Sequence, residues 1–395
     1  MRQKNYDYIF LGAGCASLSI IMRMISSKKF TEKSILIVDR EPKTKNDRTW
    51  CFWENENGFF EDIVYCKWNE LLFNTTEENS LSLDIGSYQY KMIRGIDFYE
   101  KCFNVIKVQK NIDIEYGEIF FEETTSAVPV IKIDNKPVLV NDRTIVFNSV
   151  FLPPIRKKDK FYLLQHFKGW IVETADDFFN EKQATLMDFR VSQSNGTTFV
   201  YVLPLSPKKA LVEFTLFSEN LLAASEYNLA LENYLKEFLN ITNYKIMEEE
   251  FGIIPMTNAN FSLFKQGMYF IGTAGGQTKA STGYTFKFIQ KQSDKIVEEL
   301  ISTGIPSKTT DTRKRFFFYD STLLHILSNK LLEGKTIFSV LFKKNRAETI
   351  FRFLDNETSI KEEIKLLNTL PKKIFMKAGF KEFMKMIRRT DRLKS

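Results

Sequence analysis

Three groups of residues have the types and spacing to do chemistry. The first is Gly12-Ala13-Gly14, set between the apolar run Tyr8–Leu11 and an apolar helical pattern continuing through Leu18–Ile25. Gly12 permits a sharp bend, and Gly14 lets the backbone approach a pyrophosphate that the following helix attracts through its free N–H groups and dipole. Ser17 holds the third position of this fingerprint and is small enough for the helix to pack on a sheet. Asp39 closes the second apolar run, Ser34–Val38, where an acid binds a ribose hydroxyl. The second group is Gly272, within the strand-like Gly267–Thr273, with Gly275-Gly276 just after it; a helical pattern follows Ser281-Thr282-Gly283 and reaches about Leu300. It is a second place for a negatively charged group. The third group is a pair of carboxylates inside apolar strand runs, Asp188 in LMDFRV and Glu213 in LVEFTLF. Strand alternation points every second side chain to solvent, so the pattern alone leaves each either exposed or a buried acid.

The elements around these residues belong to a large soluble chain. A length of 395 residues allows two or three subdomains. No apolar stretch is long enough to span a bilayer, and Asp7 interrupts the N-terminus, so neither a membrane span nor a signal peptide is expected. Cys15, Cys51, Cys66 and Cys102 form no CxxC and are expected to be reduced thiols of an intracellular protein. With only His166 and His325, neither a histidine metal site nor a Ser-His-Asp triad is expected. The net charge of +7 and the 37 Phe fit either compositional drift or an anionic membrane surface with an apolar substrate. The basic residues are scattered and no nucleic-acid-binding signature appears, so no nucleic-acid partner is expected.

In chain order, Leu81–Arg94 reads as a returning strand, Gly95–Val108 as a helix, and Ile112–Tyr116 and Thr144–Val150 as strands. From Phe161 the composition turns β-rich, with strands at Tyr162–Val172, Thr185–Ser192, Phe199–Leu205 and Ala210–Phe217 separated by turn signals. Asn228–Phe238 reads as a helix, and Gly252–Met256 as a connection back to the first domain. Beyond Thr303 the chain is helical and basic. The expected fold class is α/β: a Rossmann-like cofactor domain (1–75, 92–160 and 255–300) with an inserted, mostly antiparallel sheet (76–91 and 161–254) and a helical C-terminal region (301–395).

Four segments, in order, resemble the bacterial lycopene β-cyclases, flavoproteins that share their FAD domain with para-hydroxybenzoate hydroxylase. They are YDYIFLGAGCASLS with ILIVDRE, NDRTWCFW, LMDFRVSQSNGTTFVYVLPLSPKKALVEFTLFS, and IGTAGGQTKASTGYTF. The QHFKGW and RFLD runs also look like the family.

The resemblance implies FAD, held in reduced form by Gly12, Gly14, Ser17, Asp39, Arg48, Gly272, Gly275 and Gly276, with NAD(P)H or a partner supplying electrons. It implies an isomerase (intramolecular lyase) that protonates an acyclic carotenoid such as lycopene, closes a β-ionone ring through a carbocation, and then loses a proton. The family places its essential acid in the segment matching LVEFT, so Glu213 inherits the role, with Asp188 the rival acid. The helix after Gly275-Gly276 is expected to face the flavin pyrimidine. Thr273 stands where many related flavoproteins have Asp, so the ribityl contact is expected to come from elsewhere, and the unusual Lys279 is expected to alter substrate contacts. The location implied is cytoplasmic with peripheral membrane attachment, through the segments 313–318, 341–346 and 375–389. Two alternatives stay open: a flavin oxidoreductase such as a monooxygenase or prenyl-chain reductase, and a catalytically silent carotenoid- or flavin-binding protein.

Overall fold

The computed structural model describes residues 4–76, 79–122, 128–153, 156–309 and 314–392; Arg313 of the expected membrane segment lies outside them. Tyr8–Leu11 is buried at every position, as expected of a strand covered on both faces. It lies inside a six-stranded sheet, parallel to Ile35–Asp39 on one side and Ile145–Asn148 on the other. One face packs against the helices Cys15–Ser27 and Phe286–Thr303. Between them Arg23 of the first helix is buried, pairs with Asp294 and donates to Gln290 Oε1 at 3.0 Å. The other face is covered by Ile131 and Ile133 of a small three-stranded sheet.

The second large sheet has seven strands in the order Tyr244–Thr257, Tyr162–Thr174, Lys209–Ser218, Thr197–Ser206, Gln183–Asp188, Glu70–Thr76 and Asn79–Leu83. Its neighbours run antiparallel except Gln183–Asp188 beside Glu70–Thr76. Alternation along the strands sorts their side chains between two environments. Val200, Val202, Val212 and Phe214 pack under the helix Ala224–Glu237. Phe199, Tyr201, Leu203 and Leu211 face the opposite way, toward the core that also holds the C-terminal helices.

The strand Thr49–Glu54 joins the two halves. Phe52 stacks on Phe286 of the first core with ring centroids 4.4 Å apart. Trp53, the next residue, stacks on Phe351 of the second core at 4.6 Å and donates through Nε1 to Asp355 Oδ2 at 2.9 Å. Phe351 and Asp355 bracket the RFLD run, so this stretch ties the C-terminal helices to the NDRTWCFW strand.

Two elements differ from the sequence reading. Leu81–Arg94 is split between Asn79–Leu83 in the seven-stranded sheet and Gln89–Arg94 in a separate three-stranded one. The helix after Ser281-Thr282-Gly283 stands where the sequence puts it: Gly272–Gly275 is a single 3-10 turn, and the helix starts at Phe286. Gly276 and Gly283, with φ of +76° and +74°, take the left-handed conformation that interrupts a helix. The expected connection around Gly252 is instead part of a 14-residue edge strand, Tyr244–Thr257.

Candidate functional site

A cavity of about 700 Å³ lies where the two halves meet. Arg48, Thr273 and Thr282–Phe286 bound it on the nucleotide-binding side; Tyr201, Leu203, Leu211 and Glu213 form its wall on the seven-stranded sheet. Phe251 and Ile253 of the edge strand line it and are also about half exposed, which puts them at its mouth.

Glu213 points into this cavity because it shares the face of Tyr201, its direct cross-strand partner. On the other side its strand pairs with Tyr162–Thr174, where the residue opposite Glu213 is Gly169. Gly169 is also opposite Glu250 of the edge strand. The two glutamates therefore stand level on the same face, two strands apart, with no side chain between them. A Cβ on Gly169 would come within 3.0 Å of Glu250 Cγ and 2.9 Å of Leu211 Cδ1. Glu213 Oε1 accepts from Thr215 Oγ1 at 2.8 Å, and Glu250 Oε2 accepts from Thr49 Oγ1 at 2.7 Å. Burial, followed by the neighbouring negative charge of Glu250, pushes the Glu213 carboxyl well above the usual carboxylate range. Burial also raises Glu250, while its hydrogen bonds with Thr49 and Glu213 favour its ionised form. Both carboxyls are thus pushed upward, and the pair favours keeping a proton between them. Sequence reasoning missed Glu250; the signal was Gly169 inside a strand run, which marks a close approach.

Asp188 goes elsewhere. Its cross-strand partner is Val200, so it lies on the opposite face of the sheet, under the helix Ala224–Glu237. It is fully buried and pairs with Arg190, and it accepts from Tyr234 Oη at 2.8 Å and Asn74 Nδ2 at 3.1 Å. It does not line the cavity with Glu213; it anchors Arg190, Tyr234 and Asn74 on the packed face of the sheet.

The glycine positions converge at the other end. Gly12 has φ of +91°, and a side chain there would collide with Ser149. No protein atom lies within 4 Å of a Cβ placed on Gly14, so this face of the turn is clear for a ligand. Ser17 is buried in the helix–sheet contact, and Gly272 sits where a Cβ would come within 2.9 Å of Ala16, so the two glycine turns adjoin. Gly275 and Gly276 complete the second turn. Asp39 at the strand end accepts the Ala13 N–H at 2.7 Å and pairs with Lys43 at 3.0 Å. Arg48, half exposed and held by Asp47, borders the cavity. The N-terminus of the helix Phe286–Thr303 has no side-chain cap, and its first residue lines the cavity. Gln165 Oε1 and Thr282 Oγ1, buried in the cavity wall, have no protein partner. These features fit a dinucleotide whose polar ring reaches the cavity. Lys279, in contrast, is buried away from it, pairing with Asp320 at 2.9 Å and donating to Asn356 Oδ1 at 2.7 Å.

A parallel nucleotide-binding sheet carrying an inserted antiparallel sheet is the flavoprotein fold of the para-hydroxybenzoate hydroxylase group. A geranylgeranyl bacteriochlorophyll reductase-like protein from Thermoplasma acidophilum shares it with a TM-score of 0.60 and 12% identity, over 94% of this chain and 98% of that one. A flavoprotein/dehydrogenase from Cytophaga hutchinsonii does so at 0.59 and 13%, over 94% and 99%. The family model described as lycopene cyclase protein matches residues 7–378, and the chain belongs to that family. A lycopene beta-cyclase from Pantoea ananas is 24% identical over 309 residues, 74% of each protein.

Asp188→Asn leaves partly exposed Arg190 and buried Tyr234 against a neutral partner. A hydrogen bond to a charged group contributes about 1.5–3 kcal/mol. Urea unfolding should show a loss of that size; a variant as stable as the parent would contradict the anchoring role.

Proposed function

We propose that this protein is a lycopene β-cyclase that converts the acyclic ψ-ends of lycopene to β-ionone rings without net oxidation or reduction. The observation that carries the reading is the Glu213 carboxyl, pushed well above the usual carboxylate range by burial and by Glu250, facing a largely apolar cavity in a chain of the lycopene cyclase family. Protonating an isolated alkene needs an acid kept neutral at physiological pH and little water to compete for the proton. Glu213 delivers its proton to the terminal double bond, ring closure leaves a tertiary cation, and loss of a neighbouring proton completes the new ring. Tyr90, Tyr201 and Tyr284 line the same cavity, and aromatic faces attract a passing cation.

The cofactor in this reading is FAD, held at Gly12, Gly14, Ser17, Asp39, Arg48, Gly272, Gly275 and Gly276, with NAD(P)H as the source of electrons. Bound in its reduced, anionic form it would supply negative charge to steady the cation. The uncapped helix start at Thr285–Phe286 gives that charge a favourable N–H and dipole environment.

Lycopene resides in the bilayer, so the reading includes peripheral attachment to a membrane. No helix of the described residues is long and apolar enough to cross one. In two of the segments expected to touch it Phe316, Leu341 and Phe342 are buried, while Lys343, Lys344 and Arg346 are exposed. The last helix, Lys372–Arg392, exposes Met376, Phe380, Phe383 and Ile387, an i, i+4, i+7, i+11 stripe, amid Lys377, Lys381 and Arg388.

Gly14→Leu should yield folded protein without flavin, because the side chain fills the space a pyrophosphate needs; full flavin absorbance after gel filtration would contradict this. Glu213→Gln should keep its flavin and lose about 10²–10⁴-fold in cyclisation of lycopene, the range for a general acid. Near-parental turnover would remove Glu213 from the role. In flotation with anionic liposomes the protein should bind, less at high salt and less again after Phe380→Ser with Phe383→Ser. Equal flotation of that double variant would clear the last helix of the contact.

A further inference from the structure

The side chains that meet across Gly169 go further than a single acid, in an inference that rests on the cyclase reading above. Neighbouring strands lie about 4.8 Å apart, so the Cα atoms of Glu213 and Glu250, on either side of Tyr162–Thr174, stand about 10 Å apart. Any larger residue at 169 would fill the gap; glycine lets the two carboxyls lean together over the strand. Each has one oxygen occupied by a threonine hydroxyl, Thr215 for Glu213 and Thr49 for Glu250. Glu250 Oε1 is buried in the cavity wall with no donor apart from a Glu213 proton.

We propose that Glu213 and Glu250 form one proton-sharing dyad, in which Glu213 donates the proton that starts ring closure and Glu250 accepts the proton that ends it. The balance closes within the pair. The O–H bond of Glu213 breaks as a C–H bond forms at the terminal alkene carbon, leaving two carboxylates facing a cation. A C–H bond next to the cation then breaks, its electrons form the ring double bond, and its proton passes to Glu250. Transfer along the Glu213–Glu250 hydrogen bond restores the starting state. No oxidant or reductant is consumed, and the two carboxylates are adjacent only while a positive charge stands beside them. Two buried carboxyls in contact cannot both stay ionised otherwise.

The other titratable groups around the pair are Cys51, Tyr90, Tyr201 and Tyr284, all raised by burial and neutral where carboxyls titrate. Glu248 adds negative charge beside Glu250. Arg48 and Asp47, paired with each other, lie in the cofactor-side wall of the same cavity. The Glu250 charge is therefore the specific partner that holds the proton on Glu213. Removing it should let Glu213 ionise at lower pH.

Three variants of the flavin-loaded protein test this: Glu250→Gln, Glu213→Gln and the double change. Infrared spectroscopy should show a protonated-carboxyl band that vanishes in Glu213→Gln and titrates at distinctly lower pH in Glu250→Gln than in the parent. With lycopene, Glu250→Gln should lose at least about 10²-fold in kcat, with the alkaline limb of its pH profile moved the same way. The double variant should be no worse than the poorer single one, as for groups acting as a unit. The infrared titration decides the dyad by itself, whether or not lycopene is the substrate; failure of the parent to cyclise lycopene would count against the cyclase reading alone. A carboxyl band titrating at the same pH in Glu250→Gln as in the parent overturns the dyad, as does a Glu250→Gln protein with parental turnover and pH profile.

Discussion

One electrostatic constraint organises the site: the cavity between the halves brings two carboxyl groups, Glu213 and Glu250, to the same face of one sheet across a glycine. In bulk water both would ionise and repel weakly; side by side in the cavity wall both are pushed upward, and in the proposed dyad they share one proton. In that proposal Glu213 keeps its proton in the working range through this arrangement, not through its residue type. Each structural feature around the pair serves the arrangement. Gly169 removes the side chain that would separate the carboxyls, Thr49 and Thr215 fix their outer oxygens, and Tyr90, Tyr201 and Tyr284 line the space around them.

The same sheet carries a second buried carboxylate with the reverse fate. Asp188 lies on the face covered by the helix Ala224–Glu237, with Arg190 as counter-ion and Tyr234 and Asn74 as donors. One sheet thus holds a carboxyl group paired with a guanidinium on its packed face and two neighbouring carboxyl groups on its open face. What separates them is the identity of the neighbours: Arg190 beside Asp188, a second carboxyl beside Glu213. Thr49 and Trp53, on one short strand, link this chemistry to the fold, since one bonds Glu250 and the other anchors the C-terminal helices through Asp355.

Much of the framework was legible in the sequence because it rests on local signals. Tyr8–Leu11 and Ile112–Tyr116 stand where their apolar runs begin and end, and Gly12 takes the left-handed conformation that its place in the turn suggested. The antiparallel strands from Tyr162 to Ser218 were equally visible in their composition. Tyr244–Thr257 was not, because an edge strand exposed along most of its length carries MEEEFG in place of apolar alternation, and glutamate is a poor strand former. That hid Glu250. Asp188 and Glu213 looked alike because alternation separates two faces without saying which one borders a cavity. The basic, aromatic C-terminal third misled in the same way: Phe316 and Phe342 are core residues, while Phe380 and Phe383 are exposed, a distinction set by which helices cover one another.

The central claim is acid-started ring closure with no net redox change, and deuterium labelling tests it most directly. Flavin-loaded protein, reduced once and supplied with lycopene in deuterated water, should place one deuterium in each ring it forms while consuming no further reductant per ring. Rings free of deuterium, or reductant consumed in proportion to product, would contradict the account.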